Sequence, residues 1–386
     1  MWRHIASNAL TFLIVLLFLL AGVVAWGNRE YTARGPLEAA ICLQVERGAT
    51  MRGVSEDLAA RGAISLPAIF RIGADYADKA SQLKAGSFLV PAGASMEEIT
   101  EIVTASGQST CGTEIVYRIG VTRVLAEVRA LDPETRQYEQ LAQFDPATGA
   151  PPQAYRQQRA AADTQYRVVV SEGVTSWQVI TALNDLDVLA GEIAQVPDEG
   201  SLAPDSYQIS PGDEAAELIT RMQAAQERIL AEAWAERDEG LPIETPQEAL
   251  ILASIVEKET GGYDEVRQVA SVFENRLERG MRLQTDPTVI YGITEGRGPL
   301  GRGLRQSELR AETDYNTYVN AGLPPTPIAN PGRRSIEAVM TPAETDYIYF
   351  VAKTLDPRDG HNFATTLEEH NRNVSAYRAL EAEQAQ

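Results

Sequence analysis

The sequence predicts an α+β protein of 386 residues in three parts: one N-terminal membrane-spanning helix, a duplicated small α+β module and a C-terminal α+β domain. Three observations predict it. Ala9 to Trp26 is an apolar run of bilayer-spanning length. A pattern of strand, glycine turn and capped helix recurs four times between Val45 and Ile219. A helix that starts at Pro246 then stays apolar over two turns and ends on a carboxylate.

The apolar run has Arg3 before it and Trp26 at its outer margin, as an interfacial aromatic should be. It reads as an uncleaved transmembrane helix. A cleavable signal peptide is the alternative, although the run is long for such a segment and Ala25 with Gly27 makes a poor cleavage site. Arg29 and Arg34 follow the span, so charge alone orients it weakly. Beyond it, roughly 360 residues suffice for two or three domains. The formal charge of −20 argues against nucleic acid or an anionic lipid surface as partner.

The repeat runs through VERGATMRGV (Val45 to Val54), VPAGASMEEI (Val90 to Ile99), VSEGVTSWQV (Val170 to Val179) and SPGDEAAELI (Ser210 to Ile219). Gly48, Gly93, Gly173 and Gly212 allow the tight turn, while Ser95 with Glu98 and Thr175 with Gln178 form capping boxes. The four units pair into two modules, about residues 40 to 106 and 165 to 225. These resemble LysM-like modules, which implies glycan binding; a scaffold that merely positions the C-terminal domain is the alternative. Cys42 and Cys111 bracket the first module and either pair in an oxidising compartment or remain separate thiols. Between the modules, Ile115 to Val121 reads as a strand, Val124 to Leu131 as a short helix, and Leu131 to Gln165 as a polar surface insertion without a core. The expected boundaries are 1–27, 28–112, 113–164, 165–225 and 226–386.

In the last of these, Thr245, Pro246 and Glu248 mark a helix start with a T-x-x-E capping box. From Ala249 to Val256 only Ser254 is polar, so the helix is expected inside the domain, and Gly261 with Gly262 stops it. Glu257 lines up with Leu250, Ala253 and Ser254 and projects from the packed face at the C-terminal end. Desolvation and the negative helix end both disfavour the anion there, which suits a general acid. The other reading is a buried glutamate paired with an arginine such as Arg276. Glu259 lies roughly 200° further round the helix and is expected to be solvated or paired with a base.

Five blocks then resemble the membrane-anchored endolytic murein transglycosylases, the YceG-like or MltG family: ASIVEKET (Ala253 to Thr260), ASVFENRL (Ala270 to Leu277), MRLQTDPTVIYG (Met281 to Gly292), YNTYVNAGLPPTPIANPG (Tyr315 to Gly332) and GHNFATTLEEHN (Gly360 to Asn371). The resemblance implies internal cleavage of peptidoglycan glycan strands between N-acetylmuramic acid and N-acetylglucosamine, with Glu257 as the single acid and base and 1,6-anhydro ends as product. It also implies an inner-membrane protein with its bulk in the periplasm, and partners among the wall-synthesis enzymes of that membrane. No cofactor is implied.

A hydrolase would need a second carboxylate, for which Asp286 is the candidate; preceding Pro287, it also reads as a helix cap. Gln284, Thr285, Asp286, Asn316 and Asn330 offer polar groups to sugars, and Tyr291 and Tyr315 offer flat faces. Leu323 to Pro331 fixes a loop, as a groove wall or as a plain turn. His361 and His370 lack zinc-site spacing and are taken as site residues because the family carries both in this block; they are expected near one turn, between a strand ending at Asn362 to Thr365 and a helix from Leu367 to Tyr377. TLDPRDG (Thr354 to Gly360) lengthens the hairpin before that block. A non-enzymatic wall-binding scaffold and a muramidase-type hydrolase are the rival functions.

Overall fold

A computed structural model describes residues 2–46, 48–105, 110–159, 161, 164–260 and 263–384. Its first helix, α1 (Trp2–Thr32), contains a segment, Leu10–Thr32, of mean hydropathy 2.6 that is long and apolar enough to cross a membrane. Leu13, Phe18 and Val24 on it are exposed. The chain divides into two compact units, one of residues 1–115, 127–143 and 151–165, the other of 116–126, 144–150 and 166–386.

In the first unit, the end of α1 joins a core: Tyr31 is buried against Gly73, and Glu30 accepts from the Ser65 hydroxyl at 2.7 Å. The elements β1 (Ile41–Val45), α2 (Met51–Ala60), α3 (Pro67–Tyr76), β2 (Gly86–Val90) and α4 (Met96–Thr104) follow. β1 and β2 pair antiparallel, with Ile41 opposite Val90 and Val45 opposite Gly86. Leu43, Leu58, Phe70, Val90 and Ile99 form the fully buried centre. The expected turns are present: Gly48 and Gly93 adopt φ of +82° and +72°, and Ser95 with Glu98 completes its capping box. Cys42 and Cys111 form a disulfide with Cα atoms 5.6 Å apart, which settles the alternative that the sequence left open.

Next come β3 (Thr113–Ile119), β4 (Val124–Leu131), β5 (Tyr138–Phe144) and α5 (Gln153–Arg159). Here one sequence expectation fails. Val124 to Leu131 is a strand rather than a helix, because Ala126 and Val128 are buried while Glu127 and Arg129 alternate with them at period two. Arg129 pairs with the buried Glu114 carboxylate at 2.6 Å and stacks over the Tyr138 ring. The polar surface insertion contains β5, whose side chains are mostly exposed, and α5, whose Tyr155 is 2% exposed.

The chain continues with β6 (Gln165–Val170), α6 (Ser176–Asn184), β7 (Ser206–Ile209) and α7 (Ala215–Ala235). β6 lies between β3 and β7 and pairs antiparallel with β7, Tyr166 opposite Ile209. Thr175 with Gln178 caps α6 as expected. This second module therefore sits in the same compact unit as the C-terminal region, which adds α8 (Pro246–Glu259), α9 (Val266–Glu278), α10 (Asp286–Thr294), α11 (Arg333–Met340), β8 (Tyr349–Ala352), β9 (His361–Ala364) and α12 (Leu367–Gln384).

The capping box of Thr245 and Glu248 starts α8, and every residue from Ala249 to Val256 is buried. Helices α7, α9 and α11 pack on it through Ile229, Phe273, Ile336 and Val339. Ser254, its one polar residue there, accepts the Ile328 N–H at 3.0 Å and donates to the Ile251 carbonyl, so it pins the proline-rich loop to the helix. The expected stop at Gly261 and Gly262 lies outside the described residues. β8 and β9 form an antiparallel hairpin with Tyr349 opposite Ala364 and Ala352 opposite His361.

Candidate active site

Glu257 occupies the last turn of α8, and its Oε2 accepts the Gly332 N–H at 3.0 Å and the Ser335 hydroxyl at 2.8 Å. Gly332 is the N-cap of α11 and has no side chain with which to cap it. A carboxylate from another helix instead accepts the N–H of this N-cap residue. The positive end of α11 thus faces the same group as the negative end of α8, a feature that reading α8 alone could not include. Among the described residues Oε1 has no hydrogen-bond partner, so one oxygen is fixed and the other is open. Arg276, the alternative partner, is engaged elsewhere: it donates to the carbonyls of Ile348 and Leu283, both at 2.7 Å.

The glycine turn before α6 packs beside this carboxylate. Lys258 donates to the Gly173 carbonyl at 3.2 Å, and Gly173 donates to the Asn330 carbonyl at 2.9 Å. The Asn330 amide donates to Val174 and accepts from the Leu202 N–H, each at 2.9 Å. Burial pulls the Lys258 ammonium down, against Glu257 and Glu199, which support its charge. Glu199 accepts from the Ser176 N–H at 2.7 Å and from the Tyr291 hydroxyl at 3.1 Å; burial pushes its carboxyl up.

Across the end of α8, Glu259 meets a second group of side chains. It is partly buried and, among the described residues, makes no salt bridge: Thr285 donates its hydroxyl to Glu259, and burial, with Asp286 adding to it, holds that carboxyl above the ordinary range. Asp286 does not cap α10. Thr285 is the N-cap residue, and Asp286, one position further in, accepts from the Tyr318 hydroxyl at 2.6 Å. Gln284 is exposed, its backbone at φ +49° and its N–H bonded to the Thr317 carbonyl at 3.1 Å.

The remaining expected site residues separate by exposure. Tyr291 and Tyr315 contact each other with ring centroids 5.0 Å apart, and the Tyr315 hydroxyl bonds to that of Thr326 at 2.7 Å. Both are partly open. Asn316 and Asn330, expected to meet sugars, are 0% exposed, and the Asn316 amide donates to the carbonyls of Glu308 and Ala311. Their amides brace loops. His361 is clamped by Glu265, whose carboxylate takes the ring Nδ1 at 2.5 Å and the backbone N–H at 2.8 Å. His370 stacks on Tyr349 at 5.0 Å, with burial and Arg276 both lowering its proton affinity. The two imidazoles lie against successive residues of β8, His361 on Phe350 and His370 on Tyr349, rather than together at one turn.

Ser335, Gly332, Lys258 and Glu199 were not singled out from the sequence. Only the segment NPGRRS, in which a glycine without a capping side chain precedes a helix start, carried a local hint.

One carboxyl is thus delivered by the buried helix α8, fixed through one oxygen and open at the other. The profile of the YceG-like family matches residues 43–376, and the chain belongs to that family. It is 36% identical over 182 residues to an endolytic murein transglycosylase of Bacillus subtilis, covering 47% of this chain and 48% of the relative. A protein of the same name from Streptococcus pneumoniae is 26% identical over 384 residues, covering 97% of this chain and 66% of the relative. The chain thus spans about half the length of the first and 66% of the second. A putative yceG-like protein of Listeria monocytogenes has a crystal structure that aligns with a TM-score of 0.45 and 25% identity, over 87% of this chain and 99% of that one.

Proposed function

We propose that this protein is an endolytic lytic transglycosylase of peptidoglycan, anchored in the bacterial inner membrane by α1 with its bulk in the periplasm. The observation that carries the reading is the Glu257 carboxyl, held through Oε2 by Gly332 and Ser335 with Oε1 open, in a chain of the YceG-like family. Protonated Oε1 gives its proton to the glycosidic oxygen as the bond to the muramic acid C1 breaks. The same oxygen then takes the proton of the C6 hydroxyl as that oxygen closes on C1. The carboxyl is regenerated, no water is consumed, and the new end is 1,6-anhydro.

The partly open Tyr291 and Tyr315, with exposed Gln284 and Asp286, are proposed as walls for the sugar chain, and His361 and His370 as supports of the far edge. The LysM-like modules are proposed as glycan-facing scaffolds. The exposed apolar surface of α1 supports the anchor, and the Cys42–Cys111 disulfide supports an oxidising compartment. Wall-synthesis enzymes of the same membrane are the proposed partners.

A muramidase using Asp286 fits less well, since that carboxylate bonds to Tyr318 and interacts with Glu259 rather than with Glu257. A non-enzymatic scaffold is separated by assaying Glu257→Gln on purified sacculi. The proposal expects loss of soluble glycan release with an unchanged melting profile. Release at the wild-type rate would refute it.

A further inference from the structure

A second carboxylate shares the place where Glu257 is held. Glu172 lies in the glycine turn before α6, and its carboxyl rests on the Cα of Gly332, the residue whose N–H binds Glu257. A Cβ built on Gly332 would fall 1.9 Å from Glu172 Oε1 and 2.3 Å from its Cδ. Gly332 has an ordinary φ of −73°, so space for the carboxylate, and not backbone conformation, is what a side chain at this position would violate. Beside the same turn, the Cβ position of Gly173 lies 3.6 Å from the Cγ of Glu257. Glu172 is half-buried and has no hydrogen-bond partner among the described residues.

The repeat makes the placement specific. The residues before the four turn glycines are Arg47, Ala92, Glu172 and Pro211, so only the copy that packs on α8 has a carboxylate there. A glycine turn recurs in every copy. It does not account for this glutamate.

We propose that Glu172 is the electrostatic partner of Glu257, a like charge that opposes ionisation of the pair and so helps Glu257 carry a proton at neutral pH. The inference rests on the reading of Glu257 as proton donor. The Glu172 carboxyl is itself pushed up, first by burial and then by Glu257, with Arg334 acting in the opposite sense. The other charged groups facing the pair are Lys258 from α8, which favours the Glu257 anion, and Glu199, whose carboxyl balances Lys258.

The test is the pH dependence of glycan release from sacculi by the full-length protein. Glu172→Gln is expected to move the alkaline limb of kcat/KM down by about one pH unit, with the rate on the acid side retained. Glu172→Asp should keep the limb near its wild-type position. A pH-independent loss in Glu172→Gln, or an alkaline limb left where the wild type has it, overturns the proposal. Glu257→Gln distinguishes this failure from failure of the functional reading, because that reading alone requires it to be inactive at every pH.

Discussion

Ser335 donates its hydroxyl to Oε2 of Glu257 at 2.8 Å, the same oxygen that receives the Gly332 N–H. Both donors lie in the first turn of α11 and the acceptor in the last turn of α8, so two helix ends fix one carboxylate orientation.

Ser335→Ala removes one of the two donors while leaving a small buried residue in its place. A hydrogen bond to a charged group contributes about 1.5–3 kcal/mol, so turnover on sacculi should fall roughly 10- to 100-fold. Thermal unfolding should change little by comparison, and Ser335→Thr should restore part of the rate. Full activity in Ser335→Ala would show that Gly332 suffices to hold the carboxylate.

Glu274, on α9, is 5% exposed with Oε1 unpartnered among the described residues, and burial followed by the nearby Asp238 pushes its carboxyl up to about 8. Because the folded state holds this proton more tightly than the unfolded chain, the contribution to stability is fully present below the ordinary carboxylate range. It is lost as pH rises through about 8. Glu274→Gln should therefore flatten stability between about pH 4.5 and 8, and above that window it should be roughly 2–5 kcal/mol more stable than wild type. Denaturant melts at both ends of the window check it; parallel pH profiles for the two proteins would count against a buried proton.

Reduction of Cys42–Cys111, or the double change to serine, removes a cross-link between residues 69 apart in sequence. The first unit should lose about 2–4 kcal/mol of stability. Melting with and without reductant measures this, and identical midpoints in the two conditions would show that the cross-link contributes nothing.

Much of the scaffold was legible because its signals are local. Thr245 with Glu248 and Thr175 with Gln178 cap where their spacing says they should, and the all-apolar stretch before Glu257 is buried throughout. Val124 to Leu131 misled because its strand character depends on the partner that buries Ala126 and Val128. The site was legible only in part. Glu257 stands out on its own helix, but Ser335 and Gly332 come from a segment more than seventy residues away, and Lys258 and Glu199 acquire their setting only through the turn at Gly173. Asn316 and Asn330 looked like ligands for sugars because composition cannot tell an amide that faces a groove from one that braces a loop.

The central claim is that Glu257 alone supplies and recovers the proton. Mass analysis of the glycan ends released from sacculi by the wild-type protein tests it most directly. The account predicts 1,6-anhydro-muramic acid ends, lighter by one water than hydrolysed ends, and none from Glu257→Gln. Reducing muramic acid ends as the main product would contradict it, since a second group would then have to activate water.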